Sequence, residues 1–342
     1  MNEQFISKYG ILLLTSLAAF FLPHTVNARS NSIRTFERNK SSHAILKKME
    51  MLRRGCSEIC DHTITGQPTK FWPFIKKKVN CNELWANTAI DDSRKLGSTA
   101  PEMPIEMRGA FLYDEAVKFI PWSGGTLNQQ YLGGDAMVSF WSRELIDGMK
   151  KQCADGTLRG NYGLGDTSQL LAALKYADRV KGGDILVIGS ESPWVEACCL
   201  AAGAKTVTTL EYGLIRTTHP QVKTFTPEKM RKMFLNKSLG QFDAIVTFSS
   251  IEHSGLGRYG DSLNPWGDRQ TVARGWCVAK PEANLLIAVP TTGFMGSPEA
   301  IQWNAHRVYG PLMYSHLVAN WFPKKEFRSP EFQSTFLLTR SD

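Results

Sequence analysis

Three segments of the chain carry side chains that can bind and activate a small molecule. They are the turn Gly189-Ser190-Glu191-Ser192-Pro193, the carboxylate Glu211 and the loop Ser249-Ser250-Ile251-Glu252-His253. A carboxylate about twenty residues after a glycine-containing turn is suited to accept hydrogen bonds from a ribose diol, and Glu211 follows Gly189 at about that spacing. Glu252 and His253 are residue types that remove a proton from a nucleophile, and a histidine ordinarily titrates near neutral pH.

Each of these segments ends a short apolar run that is typical of a strand buried on both faces. The runs cover residues 184–189, 206–211 and 242–249, and a fourth covers 284–290. Helical patterns lie between them, one of which starts at Pro193. Strands that alternate with helices predict right-handed crossovers and a parallel sheet with helices on both faces. Ligands bind such a sheet beyond the carboxyl ends of the strands, where the strand order reverses, so we expect the three segments to meet there.

Other patterns complete the predicted sheet domain. A helical period covers residues 140–151, and a helix capped by Asp166 or Thr167 precedes the first buried run. A short strand covers residues 222–225. At the C terminus, the extended runs 325–328 and 332–339 flank a Ser-Pro turn. Two extended runs separated by such a turn predict a hairpin.

The glycine-rich loop 255–267 is longer than most connections in compact domains, and loops of this length are often lids or binding elements. Tyr259 and Trp266 could stack on a ring or a sugar, or could pack the loop. Polar side chains that could contribute from the substrate side are Asp261, Asp268 and His306.

Three motifs resemble those of a known family. Residues 188–194, 249–253 and 264–268 are similar to a nematode-expanded, uncharacterised family known as domain of unknown function 268. The run 166–340 resembles class I S-adenosyl-L-methionine-dependent methyltransferases. The resemblance implies a Rossmann-like α/β fold with a mostly parallel seven-stranded sheet whose last strand is antiparallel. It also implies S-adenosyl-L-methionine as the cofactor.

The same resemblance implies roles for individual residues. Gly189 would approach the cofactor, Glu211 would hold its ribose, and the loop 249–253 would border the methyl group and the acceptor. By residue type and by location just past a central strand, His253 and Glu252 are the candidate catalytic bases. The candidate cofactor-binding residues are Gly189, Ser190, Glu191, Glu211, Ser249 and Ser250.

The sequence also departs from the methyltransferase pattern. The usual acidic position of the first strand is Val187, and the second and third glycines of the turn are Glu191 and Pro193. Side chains in this turn keep a cofactor further from the backbone, although Glu191 could face a positively charged amino or sulfonium group. Two hypotheses remain: a methyltransferase of unknown acceptor, and a catalytically inactive methyltransferase-like secreted binding protein. A glycosyltransferase is a third class, but its usual Asp-x-Asp motif does not occur in the sequence.

The first 28 residues are predicted to be a signal peptide. Lys8 precedes an apolar run over residues 11–22, and residues 26–28 suit a signal peptidase. A helix of that length spans roughly 18 Å, short of the roughly 30 Å hydrocarbon core, so we expect no stable membrane span after cleavage. The mature chain should therefore enter the secretory pathway and reside in the ER or Golgi lumen or outside the cell. Glycosylation sequons at Asn39 and Asn236 are consistent with that route.

The net charge of +8 is concentrated in one short segment. Residues 29–60 carry eight basic and three acidic side chains, so they hold +5 of that charge. We expect a basic stem with a short helix over 29–60, an accessory region over 61–160 and a methyltransferase-like domain over 161–342. A basic excess confined to a stem does not predict a nucleic-acid partner.

All seven cysteines follow the signal peptide, and an odd number leaves at least one unpaired in a monomer. Cys56, Cys60 and Cys81 lie in a region that a disulfide would stabilise. A zinc site using His62 is the weaker alternative there, because the spacing fits no common zinc finger, and we expect no metal. Cys198 and Cys199 are adjacent on a predicted helix, and we expect both to be small buried apolar groups.

Overall fold

The computed structural model describes residues 41–63, 74–91, 102–121, 138–259, 261–292, 298–328 and 333–342. The predicted signal peptide, the first part of the stem and the sequon at Asn39 lie outside these residues. No helix within the described ranges is both long and apolar enough to cross a membrane. Residues 45–342 form one compact unit, and of residues 1–44 the structure describes only the helical stretch 41–44. The division into stem, accessory region and methyltransferase-like domain stays a prediction.

The described residues contain helices and strands in a mixed α/β order. The helices are α1 (41–53), α2 (Cys81–Ala86), α3 (Ile105–Leu112), α4 (Arg143–Ala154), α5 (Leu164–Tyr176), α6 (Trp194–Ala201), α7 (Pro227–Leu235), α8 (Gly267–Val278) and α9 (Pro311–Leu317). The strands are β1 (Lys118–Ile120), β2 (Ser139–Trp141), β3 (Asp184–Ile188), β4 (Thr206–Leu210), β5 (Ile215–Thr217), β6 (Val222–Phe225), β7 (Phe242–Phe248), β8 (Ala279–Val289), β9 (Ala300–Gln302), β10 (His306–Val308), β11 (Trp321–Phe327) and β12 (Ser334–Arg340).

Seven strands form one sheet in the order β11-β12-β8-β7-β3-β4-β6. The neighbours from β6 to β8 pair in parallel, whereas β12 is antiparallel to both β8 and β11. This order confirms the Rossmann-like fold with an antiparallel last strand, and it also confirms the C-terminal hairpin. The strand order reverses at β3, because the chain proceeds from β3 to β4 on one side and later returns to β7 on the other.

Alternate residues of the central strands feed two separate cores. On one face Ile185 and Val187 of β3 pack with residues of α4, α5 and α6. On the other face Leu186 and Ile188 pack with residues of α8 and α9. A strand buried on both faces needs an unbroken apolar run, which is the pattern that predicted these strands.

Two predicted helix starts are wrong. The helix expected to be capped by Asp166 or Thr167 begins earlier, with Gly163 as its N-cap at φ 109°, and Thr167 instead donates its hydroxyl to the Gly163 carbonyl at 2.8 Å. Phe140 was expected at the start of a helix but lies in β2, which pairs with β5. The helix that follows, α4, is capped by Ser142, whose hydroxyl accepts the Leu145 N–H at 3.1 Å.

Six cysteines form three disulfides, and Cys199 is free and buried. Cys198 was predicted to be a small apolar group, but it is bonded to Cys153 because successive residues on α6 point in different directions and only Cys198 faces α4. The remaining bridges are Cys56–Cys60 and Cys81–Cys277. These two bridges together occupy Cys56, Cys60 and Cys81, the thiols of the zinc alternative.

We expect loss of the Cys81–Cys277 bridge to destabilise the protein more than loss of the Cys56–Cys60 bridge. The first pair is 196 residues apart and the second is 4 apart. Loop-closure entropy in the unfolded chain then gives about 5 kcal/mol for the long loop and about 2 kcal/mol for the short one. Urea unfolding of the two double Cys→Ser variants measures the difference, and an equal or larger loss for the short loop would contradict it.

Candidate functional site

An open cleft lies beyond the carboxyl ends of β3, β4 and β7, where the strand order reverses. It encloses about 880 Å³ of empty space, counted with the solvent at its mouth. The sequence-predicted residues on its lining are Gly189, Ser190, Glu191, Glu211, Ser249, Ser250 and His253. Seven of the eight predicted site residues therefore line one cleft.

Gly189 is the point where the turn after β3 meets the loop after β7. Its φ of 76° lies in the left-handed region, and its N–H donates to the Leu210 carbonyl at 3.0 Å. A Cβ at this position would lie 1.7 Å from the Ser250 hydroxyl oxygen. The space that glycine leaves open is thus filled by Ser250, and both residues line the cleft.

Glu211 joins the end of β4 to the turn after β3. One carboxylate oxygen accepts the Ser190 N–H at 2.7 Å, and the other accepts the Tyr212 N–H at 2.6 Å. Glu211 is largely buried but lines the cleft. Since a carboxylate oxygen has two lone pairs, each oxygen can accept a further hydrogen bond from a ligand.

Glu196 lies directly against this turn, and the sequence analysis did not identify it. It is fully buried on α6, where its carboxyl oxygens accept the Thr209 hydroxyl at 2.7 Å and the Ser190 hydroxyl at 3.0 Å. Burial raises the pKa of Glu196 to about 7. A single acidic residue inside the otherwise apolar pattern of α6 was the signal that could have found it.

Ser249 carries a hydrogen-bonded network at the end of β7. Its φ is 46°, an uncommon conformation for a non-glycine residue. The hydroxyl donates to Glu252 at 2.6 Å and accepts from the Gln333 side-chain amide at 2.6 Å, and it is also hydrogen-bonded to the Tyr162 phenol. Glu252 is fully buried and is the one predicted site residue absent from the cleft lining. Burial raises the pKa of its carboxyl to about 7.

His253 is buried at the edge of the cleft as a neutral imidazole. Its Nδ1 lies 2.6 Å from the Ala305 carbonyl, so Nδ1 carries the hydrogen and Nε2 keeps its lone pair. Burial lowers the pKa of His253 to about 3, with a smaller contribution from the Arg258 cation. The expectation of a histidine titrating near neutral pH is therefore wrong, because the sequence does not show that this position is desolvated. Nε2 lies 3.7 Å from the Glu252 carboxyl.

The loop after His253 is held by its own aspartate. Asp261 accepts the N–H groups of Gly255 at 2.7 Å and of Gly257 and Tyr259 at 3.3 Å each, so its carboxylate fixes the loop. Tyr259 lines the cleft with its ring edge-on to His253 at 5.4 Å.

The other candidates on the substrate side have different positions. Trp266 is buried in a separate core and packs the loop, so it is not available for stacking. Asp268 accepts the Tyr309 hydroxyl at 3.0 Å and pairs with Arg307 at 3.4 Å, away from the cleft lining. His306 is half-buried, and its ring centroid lies 6.2 Å from that of His253.

The charged side chains on the cleft lining are carboxylates. They are Glu191, which is exposed, together with Glu211 and Asp261, and the described lining includes no lysine or arginine. No group of three or more His, Cys, Asp or Glu side chains within the described ranges is arranged to hold a metal ion.

A narrower cavity adjoins the cleft and shares Gly189, Glu211 and Ser250 with it. Its walls are largely apolar, and the region before β1 supplies Trp85 and Asp91. Asp91 is held in place by the cations of two helices, Arg231 of α7 at 2.5 Å and Arg274 of α8 at 2.5 Å. The N-terminal part of the compact unit therefore closes one side of the site.

Comparison with known families confirms the resemblance drawn from the three motifs. Residues 182–330 match the family model described as "Caenorhabditis protein of unknown function, DUF268". This segment includes β3, the cleft-forming turns and all of β11. No curated protein matches the chain in sequence.

Solved structures similar to the chain include several methyltransferases. The N-methyltransferase NodS from Bradyrhizobium japonicum is 10% identical with a TM-score of 0.36. The match covers 54% of this chain and 100% of the NodS chain. An O-methyltransferase family protein from Burkholderia thailandensis is 13% identical with a TM-score of 0.35, covering 59% and 63%. TrmN from Thermus thermophilus is 11% identical with a TM-score of 0.32, covering 56% and 53%.

Replacing Gly189 by alanine should destabilise the protein more than the same change at Gly182. Both glycines have a similar positive φ, 76° and 74°, so both variants acquire about 1 kcal/mol or more of backbone strain. Only at Gly189 does the new Cβ collide with another residue, because nothing lies within 4 Å of that position at Gly182. Thermal unfolding of the two variants measures the steric contribution. Adding Ser250→Gly should recover part of the loss at Gly189, and no recovery would contradict the contact.

Glu196→Gln should become more stable relative to the wild type as the pH rises from 5 to 8. A folded-state pKa of about 7 lies above the ordinary value of 4.5, so the folded protein binds this proton more tightly. The resulting stability is present below pH 4.5 and is lost as the pH rises towards 7, whereas glutamine does not titrate. The shift corresponds to roughly 3 kcal/mol across that window. Denaturant unfolding of both proteins at several pH values measures it, and a pH-independent difference would contradict the buried carboxyl.

Proposed function

We propose that the protein is an S-adenosyl-L-methionine-dependent methyltransferase of the secretory pathway, with an acceptor that is not yet identified. The observation that carries the proposal is the open cleft at the strand-order reversal, with Glu211 on its wall and the turn at Ser190 bonded to it. A catalytic protein of this kind needs a site for the cofactor and a second group that accepts a proton from the acceptor.

The charge of the cleft suits this cofactor. S-adenosyl-L-methionine carries a sulfonium and an ammonium against one carboxylate, so a lining whose charged groups are Glu191, Glu211 and Asp261 favours its net positive charge. Glu211 would accept the ribose hydroxyls, and the exposed Glu191 would face the cationic end. The adjoining cavity, with Trp85 and apolar walls, would take the adenine ring.

The chain's own residues would orient the acceptor and receive its proton. Bound in the cleft, the cofactor would supply a methyl group on a sulfonium, whose sulfur leaves with the bonding electron pair as a neutral thioether. His253 is neutral, and Ala305 fixes its tautomer so that Nε2 accepts the proton. Glu252 lies 3.7 Å from that nitrogen and would stabilise the protonated ring, which makes Glu252 a positioning residue.

The alternative is a catalytically inactive binding protein of the same fold, and two observations favour it. Both oxygens of Glu211 already accept backbone N–H groups, at 2.7 and 2.6 Å. The low pKa of His253, about 3, also makes it a weak base. Such a protein would keep the cleft but bind another ligand, so cofactor binding separates the two hypotheses.

The secretory assignment rests on the oxidised cysteines. Three disulfides persist in oxidising compartments and are rare in the cytosol. Asn236 of the second sequon ends α7 in an exposed position, and its side-chain oxygen accepts the Ser238 hydroxyl at 2.6 Å. We infer that this asparagine is glycosylated.

Isothermal titration of the full mature chain with S-adenosyl-L-methionine should give saturable heat. Glu211→Gln should weaken binding by about tenfold, since one charge-assisted hydrogen bond contributes roughly 1.5–3 kcal/mol. Glu282→Gln is the matched control, because Glu282 is exposed and forms an ion pair with Arg179 instead of lining the cleft. Absence of heat in the wild type at high micromolar cofactor would contradict the methyltransferase proposal and favour the binding protein.

Protein secreted from eukaryotic cells should carry a glycan at Asn236. Treatment with a peptide N-glycosidase should lower its mass. The fall in mass should be smaller for Asn236→Gln, because this variant lacks the glycan at position 236. Asn87→Gln is the control, since Asn87 is followed by Thr-Ala and does not form a sequon. A wild-type protein that reaches the medium with an unmodified Asn236 peptide in mass spectrometry would contradict the inference.

A further inference from the structure

The guanidinium of Arg269 lies in the protein interior without a hydrogen bond. Arg269 is 1% exposed, and none of its three side-chain nitrogens has an acceptor among the described residues. Its Cζ atom lies 5.1 Å from the centre of the Tyr113 ring. A buried cation with five unused N–H donors is costly, because buried charges in proteins are normally paired and hydrogen-bonded.

His316 lies against the same tyrosine, and Lys77 is hydrogen-bonded to His316. The ring of His316 lies 5.6 Å from that of Tyr113, and the Lys77 ammonium donates to His316 Nδ1 at 2.8 Å. Because Nδ1 accepts this bond, Nε2 carries the hydrogen of the imidazole. His316 is 1% exposed, and its Nε2 also has no partner within the described ranges. Two buried side chains, on α8 and α9, therefore hold unused donors.

The cations of this cluster also repel one another. Burial and repulsion from Arg269 lower the pKa of Lys77 to about 7, and burial with repulsion from Lys77 and Arg269 lowers the pKa of His316 to about 2. The carboxylates that act on Lys77 are Asp61 and Glu58, and Asp61 also acts on His316. Both accept backbone N–H groups, Asp61 that of Thr63 at 2.9 Å and Glu58 that of Lys78 at 2.9 Å, and neither is hydrogen-bonded to Arg269. Residues 64–73, which precede the Lys77 segment, contain no Asp or Glu.

We propose that Arg269, Lys77 and His316 form a binding site for a small inorganic anion, for which chloride and phosphate are the two sources to be distinguished. The anion would accept the free N–H donors and reduce the repulsion between the two cations. None of the three residues lines the cleft, so the site is separate from the proposed methyltransferase function. It would join the segment before α2 to α8 and α9, and its occupancy should stabilise the folded chain.

The test is thermal unfolding of the full mature chain in sodium gluconate, titrated with chloride or with phosphate at constant ionic strength. The binding anion should raise Tm along a saturable curve, by about 5 °C at a hundredfold excess over half-saturation. Arg269→Met should abolish the saturable rise, and Lys77→Met should shift half-saturation to higher anion concentration. Arg216→Met is the matched control, because Arg216 is exposed on β5 and should leave the curve unchanged.

A wild-type Tm that does not saturate with either anion, or an Arg269→Met curve equal to that of the wild type, would overturn the proposal. If Arg269→Met does not fold, a crystal of the wild type soaked in bromide decides the matter. An anomalous peak beside the Arg269 guanidinium supports the halide site. Ordered water bridging Arg269 to Asp268, with no peak in bromide and no ordered phosphate in a phosphate soak, overturns it.

Discussion

A carboxylate holds together the two strand ends that form the cleft. Glu211 accepts the Ser190 N–H at 2.7 Å and so ties β4 to the turn after β3. The Ser190 hydroxyl in turn donates to Glu196 at 3.0 Å, whose second oxygen is bonded to Thr209 of β4. This turn is therefore fixed by side-chain hydrogen bonds. Its shape depends on two acidic residues, Glu211 and Glu196.

The other side of the cleft depends on a close approach of two loops. Gly189 leaves room for Ser250. Gly189, at the end of β3, and Ser249, at the end of β7, both have positive φ values, where the turn after β3 meets the loop after β7. Because β3 and β7 are neighbours in the sheet, this approach is fixed by strand pairing as well as by the loop residues. The cleft is thus a consequence of the strand order, and the local sequence decides how wide it is.

The elements predicted well from sequence are those whose signal is local. Apolar runs located β3, β4 and β7, and the position of Glu211 after its strand placed it in the cleft. Features that depend on distant partners were not predicted. The pairing of β2 with β5 joins residues 139–141 to 215–217, and the Cys153–Cys198 bridge depends on how two helices pack. Propensity and periodicity contain neither kind of information.

The protonation states of the site residues could not be predicted from the sequence either. The sequence gives no measure of burial, yet burial is the largest cause of the shifted pKa values of Glu196, Glu252 and His253. The pKa of His253 is lowered further by Arg258, five residues along the chain, and the tautomer is set by Ala305, which is distant in sequence. Local residue types therefore identified a candidate base but not its strength.

The strength of that base restricts the chemistry the cleft can support. A neutral imidazole with a pKa of about 3 does not deprotonate an ordinary alcohol before reaction, because the alcohol holds its proton far more tightly. It can receive a proton that becomes acidic only as the new bond forms. Such a base suits an acceptor atom that is already nucleophilic while it carries its proton. The proton is then lost late in the reaction. If the proposed transfer occurs, orientation by the cleft rather than activation by His253 must then supply most of the rate enhancement.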